Sequence, residues 1–88
     1  MATLHMVSTA AALAPCLEVA ADDDAILLLG NGVYAAVTAL APSRALLALH
    51  ADVTARGLGR RLGQAVRQID EQELVTLAVA HEPIVSWR

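Results

Sequence analysis

Two short apolar runs constrain this chain more than any other feature. Asp24 to Leu29 reads D-A-I-L-L-L and Ala45 to Leu49 reads A-L-L-A-L, with no polar alternation after Asp24. A strand wetted on one face alternates apolar with polar residues. A short unbroken apolar run instead marks a strand covered on both faces, the environment of a parallel sheet with helices above and below. Thr3 to Val7 reads as a first strand, Ala65 to Ile69 as a weaker one and Ile84 to Trp87 as a short last one.

Helical patterns lie between these runs. Gly32 to Leu40 is predicted to be a helix ended by the turn Ala41-Pro42-Ser43. Asp52 is expected to cap a short helix through Arg56, with Gly57 at its end. The first helix has two possible starts. From Ala10 it would contain Pro15, at a cost of about 3 kcal/mol; from Pro15 it would hold the proline at its favoured first position. Asp70 to His81 is the clearest helix. Asp70 and Glu73 resemble a capping box, Leu74, Leu77, Ala78 and His81 share one side, and Glu82-Pro83 stops it. Strands alternating with helices argue for βαβ units. We therefore expect one α/β domain, residues 1–88, with a mostly parallel sheet of four or five strands and helices on both faces.

The composition sets limits on function. Of the 88 residues 57% are hydrophobic and 17% charged, which excludes a disordered tail. No run long enough to cross a membrane is free of charges and turn signals. For a small soluble monomer so apolar a chain is unusual, so either the sheet is covered on both faces or some of the apolar surface belongs to a partner. The net charge is −3, and six scattered Arg residues with no aromatic platform beside them argue against direct nucleic-acid binding. The absence of Lys removes Schiff-base, lysine-base and Walker-type mechanisms. A lone cysteine, Cys16, cannot make an internal disulfide, and no basic segment followed by an apolar one opens the chain; a reducing, cytoplasmic setting is expected.

Ligand or partner chemistry in such a fold sits at the carboxyl ends of the strands. Gly30-Asn31-Gly32-Val33-Tyr34-Ala35 follows a strand there and fits G-x-G-x-x-G/A, with Asp52 about twenty residues on, where a ribose-binding acid would stand. A simpler reading is a tight strand-to-helix turn with positive backbone angles supplied by Asn-Gly. Cys16, if it lies in the first turn of a helix begun at Pro15, would be favoured as thiolate and would face that same edge; otherwise it is a small buried hydrophobe. His5 reads as a satisfied core or interface histidine. His50 sits at a strand end, and His81 sits near a helix C-terminus. The three make no metal spacing, no cofactor is implied, and Asp22-Asp23-Asp24 reads as a solvated loop.

Four stretches taken together resemble the DsrH/TusB family. They are the opening Leu4-His5, the segment Ala25 to Ala36 (AILLLGNGVYAA), the segment Leu49 to Leu58 (LHADVTARGL), and the ending Leu74 to His81 followed by Ser86-Trp87. They occur in order and span nearly the whole chain. The resemblance implies a DsrE/F-like, flavodoxin-like three-layer fold. It implies assembly with two homologous subunits, TusC/DsrF-like and TusD/DsrE-like, as a heterohexamer, with an indirect link to a TusE/DsrC-like sulfur acceptor. The function implied is sulfur relay toward 2-thiolation of the tRNA wobble uridine. Members also serve dissimilatory sulfur oxidation. The family's main persulfide cysteine lies on the TusD/DsrE-like subunit, and the comparable segment here, Leu49 to Asp52, has none. Cys16 falls where DsrH proteins of sulfur oxidisers carry a cysteine and is the persulfide candidate. Asn31, Gly32, Tyr34, His50, Asp52, Arg56 and Trp87 are the strand-end and interface candidates. The alternatives are a DsrH-like subunit in dissimilatory sulfur oxidation, with Cys16 as persulfide carrier, and a homo-oligomeric interaction module without chemistry.

Overall fold

The computed structural model describes residues 2–38, 45–63 and 65–88. Five strands form one sheet: β1 (Leu4–Val7), β2 (Ala25–Leu28), β3 (Leu46–Leu49), β4 (Val66–Ile69) and β5 (Ile84–Trp87). Their order is β4-β3-β2-β1-β5, and every neighbouring pair is parallel. The helices are α1 (Leu13–Val19), α2 (Ala35–Thr38), α3 (His50–Ala55) and α4 (Glu71–Ala80). The α/β class, the parallel sheet and the helices on two faces agree with the reading of the sequence.

The layering follows from crossover handedness. The connections β1→β2→β3→β4 all step one way across the sheet, so right-handed crossovers place α1, α2 and α3 on one face. The step β4→β5 returns across the whole sheet and places α4 on the other. The core divides accordingly. Val7, Ile26, Leu28, Leu46 and Ala48 pack with Leu13 and Cys16 of α1, Ala35 and Ala36 of α2, and Val53 of α3. Leu4, Leu27, Leu49 and Ile69 form the second cluster, against which Leu74 and Leu77 of α4 pack. Ile26, Leu27 and Leu28 are all buried, which is why β2 shows no alternation. At the edge, β4 reads V-R-Q-I; Arg67 on an open edge discourages pairing with another chain.

Local signals explain the helix ends. Asp70 Oδ1 accepts from the Glu73 amide at 2.8 Å, and Glu73 Oε1 accepts from the Asp70 amide at 3.4 Å, closing the expected capping box. Past α3, the amides of Gly57 and Leu58 donate back to the carbonyls of Thr54 and Val53, a Schellman ending that buries Leu58.

Three expectations need correction. The helical path begins at Ala10 as one 3-10 turn, Ala10–Ala12, and becomes α-helical at Leu13, so α1 starts at neither proposed residue. Pro15 is then its third residue, within the turn whose amides lack partners inside the helix, which accommodates the missing N–H. Asp52 does not cap α3: the helix opens at His50 after Leu49, and no side chain caps it. In the Gly30–Tyr34 turn, positive φ falls at Gly30 (φ 54) rather than at Asn31-Gly32. The predicted end of the second helix at Ala41-Pro42-Ser43 lies outside the described residues.

Gly32 is demanded by packing. A Cβ there would overlap the carbonyl oxygen of Val7 and crowd its carbonyl carbon. The turn after β2 thus rests directly on the end of β1. Gly32→Ala is expected to lower stability by at least about 1–3 kcal/mol, since backbone must move to admit the methyl. Gly59→Ala, where nothing lies within 4 Å, should be close to neutral. Urea denaturation of the two variants checks the contrast.

Candidate functional site at the carboxyl edge of the sheet

The turn Gly30–Tyr34 leaves β2 on the same edge where α3 leaves β3. Asp52, in the first turn of α3, accepts a hydrogen bond at Oδ2 from the Gly30 amide, 2.7 Å away. Arg56, one helical turn later, donates from Nε and Nη2 to Asn31 Oδ1 at 3.2 and 3.0 Å. Its Nη1 donates to the Asp52 carbonyl at 3.2 Å and stands 3.7 Å from the Asp52 carboxylate. The guanidinium carbon lies 5.9 Å from the centre of the Tyr34 ring, a cation–π contact worth about 0.5–1 kcal/mol at an exposed site. Asn31, Tyr34, Asp52 and Arg56 therefore form one network, and Gly32 seats it on β1.

This geometry bears on the dinucleotide reading. An anion bound at such a turn would use the amide of Gly30. Asp52 supplies a carboxylate to that amide from within the chain, and Arg56 is spent on Asn31 and Asp52. The acid about twenty residues after the glycines is thus the turn's own anion.

His50 opens α3 and is exposed. Its Nδ1 lies 2.7 Å from Gln68 Oε1 on β4, and the Thr54 hydroxyl is 3.3 Å from its Nε2. Since a carboxamide oxygen only accepts, Nδ1 carries a proton. His50 shares α3 with Asp52 and Arg56, but its partners are Gln68 and Thr54.

Trp87, at the end of β5, belongs to a third group. Its indole Nε1 donates to His5 Nδ1 at 3.0 Å, and His5 Nε2 lies 2.9 Å from Asp24 Oδ2. His5 is only 3% exposed. Asp24 also accepts from the amides of Thr3 and Ala21, each at 2.9 Å. These contacts hold its carboxyl down to about 2, the Thr3 amide weighing most, then His5, then the Ala21 amide. Asp22 and Asp23 are exposed loop residues, as expected, but Asp24 is structural. The main-chain oxygen of Trp87 receives both the amide and the hydroxyl of Ser8 at 3.0 Å. Asp24, Ser8 and Gln68 were not singled out from sequence. An acid run preceding a strand that pairs beside a histidine was the one signal for Asp24.

Cys16 is enclosed in the core. It has no exposed surface and packs in the apolar cluster of Val7, Leu13 and Ile26, with Trp87 against it. The first-turn thiol facing the edge is thus an enclosed fourth residue of α1. Among the described residues, no group of three or more His, Cys, Asp or Glu is placed to hold a metal ion, and no helix is long and apolar enough to cross a membrane.

The family described as DsrH like protein matches residues 7–84. The chain is 35% identical over 79 residues to Protein TusB of Cronobacter sakazakii, covering 81% of this chain and 82% of that one. It is 33% identical over 93 aligned positions to Protein TusB of Escherichia coli O81, covering 97% of both chains. Protein TusB of Shigella sonnei gives the same identity and coverage.

Two outcomes follow from the site. Asp52→Ala removes a charge-assisted acceptor from the Gly30 amide and the partner of Arg56, and should cost about 1–3 kcal/mol in urea denaturation. Asp24 titrates lower folded than unfolded. Its stabilisation is therefore complete above the ordinary carboxylate value of 3.8 and is lost as pH falls toward about 2. Asp24→Asn should flatten the pH dependence of stability in that window, as read by circular dichroism melts at a series of pH values.

Proposed function

Because the chain belongs to the DsrH family, we propose that it is a subunit of a sulfur-relay complex that assists 2-thiolation of the tRNA wobble uridine. Its role there is to shape and assemble the relay surface with TusC/DsrF-like and TusD/DsrE-like subunits, in the cytoplasm, upstream of a TusE/DsrC-like acceptor. One observation carries this reading: at the carboxyl edge, where an α/β sheet places its chemistry, the charged side chains are committed to one another. Asp52 closes the Gly30 turn and Arg56 is tied to Asn31 and Asp52. Such an edge presents a fixed shape rather than an open ligand pocket. Tyr34, an exposed member of the network, and exposed His50 beside it are the side chains we assign to partner contact.

Cys16 fits the structural role better than that of a carrier. Persulfide transfer requires an accessible thiolate, and Cys16 has no exposed surface. Transfer through it, as the sulfur-oxidation alternative requires, would need α1 to lift from the sheet. The homo-oligomeric alternative is separated from the leading reading by the choice of partner.

Co-expression of the chain with its two homologous subunits should yield one complex by size-exclusion chromatography with light scattering. A stable monomer or a self-assembly that ignores both would overturn the proposal. In cells lacking this chain, 2-thiouridine measured by mass spectrometry of tRNA should fall and be restored by the wild type. Cys16→Ser should restore it to within about twofold. Loss of thiolation by a folded, assembled Cys16→Ser complex would make Cys16 a carrier.

A further inference from the structure

The first and last of the sequence motifs, Leu4-His5 and Ser86-Trp87, make a single physical unit. Among the described residues, β5 is an edge strand with β1 as its one neighbour in the sheet. Across that pair, His5 lies opposite Val85 and Val7 opposite Trp87. The Trp87 indole turns back over the sheet to His5, and the ring centroids are 6.1 Å apart. An indole nitrogen can only donate. His5 Nδ1 must therefore present its lone pair, and the proton sits on Nε2, directed at Asp24. His5 is held as one tautomer by two partners of opposite kind.

We propose that Asp24, His5 and Trp87 form a protonation-sensitive latch that fastens the edge strand β5 to β1. With His5 neutral, the indole is held. A second proton, taken from solvent onto Nδ1, sets N–H against N–H and expels the indole, and the bond between the Trp87 carbonyl and Ser8 loosens with it. Asp24 stays ionised and bonded to Nε2 in both states.

The surroundings leave little else to answer that proton. From the loop before β2, Asp24 is the charged group at the ring, while Asp22 and Asp23 are exposed. From β2 and β5 the neighbours are Ile26 and Val85. From α1, Cys16 lies in the apolar cluster against which Trp87 packs, and Glu18 is exposed. Asp24 is held ionised down to about 2, so it exchanges no proton between pH 8 and pH 5. The latch rests on this geometry alone and does not depend on the sulfur-relay reading.

The test uses the ¹⁵N-labelled full chain, followed by long-range ¹⁵N–¹H NMR of the imidazoles from pH 8 to pH 5. The neutral His5 should show the Nε2–H tautomer. As it takes its second proton, the Trp87 indole N–H resonance should shift upfield. Exchange of the Ser8 amide, corrected for its intrinsic pH dependence, should become about fivefold faster, the equivalent of one neutral hydrogen bond. The Leu29 amide, bonded to the Val7 carbonyl on the other side of β1, should keep its protection. In Trp87→Phe the same proton uptake should leave Ser8 exchange unchanged. The latch is refuted by an Nδ1–H tautomer, by protonation of His5 with the indole and Ser8 unaffected, by no second proton before unfolding, or by equal acceleration in Trp87→Phe.

Discussion

A parallel sheet has to hide both of its faces, and most of this molecule follows from that requirement. Parallel strands need crossover connections, and crossovers of one hand fix which face each helix covers. Three crossovers in one direction bring α1, α2 and α3 against Val7, Ile26, Leu28, Leu46 and Ala48. The single return crossover brings α4 against the other face. That second face is the thinner layer: no residue of α4 is fully buried, and Val75 and Val79 on it are 62% and 81% exposed. The high apolar content of the chain is absorbed mainly on the first face. The excess lies on α4, at Val19 of α1, which is 67% exposed, and at Ile84, which is 46% exposed.

The parts legible in the sequence were those decided by neighbours. β2 and β3 showed as unbroken apolar runs because both faces of each are covered. α4 showed because Asp70 and Glu73 satisfy each other's amides three residues apart. The departures came from contacts between distant residues. Asp52 was expected to cap its own helix but bonds Gly30, 22 positions away. His5 could be read as a satisfied buried histidine, but its partner Trp87 is 82 positions distant, and spacing cannot report such a pair. The start of α1 was missed for a subtler reason. A 3-10 turn leading into an α-helix lets a proline sit third in the helix, so the choice between beginning at Ala10 and beginning at Pro15 was falsely posed.

At the carboxyl edge, a motif and its chemistry have come apart. The glycines do what such glycines do elsewhere: Gly32 brings backbone onto backbone at Val7, and Gly30 takes the positive angle that turns the chain. The amide so presented is met by Asp52, whose position on the first turn of α3 also suits the helix dipole. With Arg56 bridging Asp52 and Asn31, the edge becomes a rigid knot. The residues that read like a nucleotide site and the residues of the family motif are the same residues, and their bonding favours the second description.

The pairing of β5 with β1 also governs the order in which the molecule can assemble. Ser8 and Trp87, bonded through two donors, are 79 positions apart. Loop closure over such a separation opposes early contact, so pairings between nearer strands have the advantage. During synthesis β1 can find β2 as soon as residues 25–28 emerge, but its other side stays unpaired until residues 84–87 follow. In that interval β1 is an open edge that offers bare backbone groups to any extended segment nearby. Residues 84–87 therefore convert β1 from a sticky edge into an interior strand, and a chain cut short of them would keep the packing of α1 to α4 while remaining prone to aggregate.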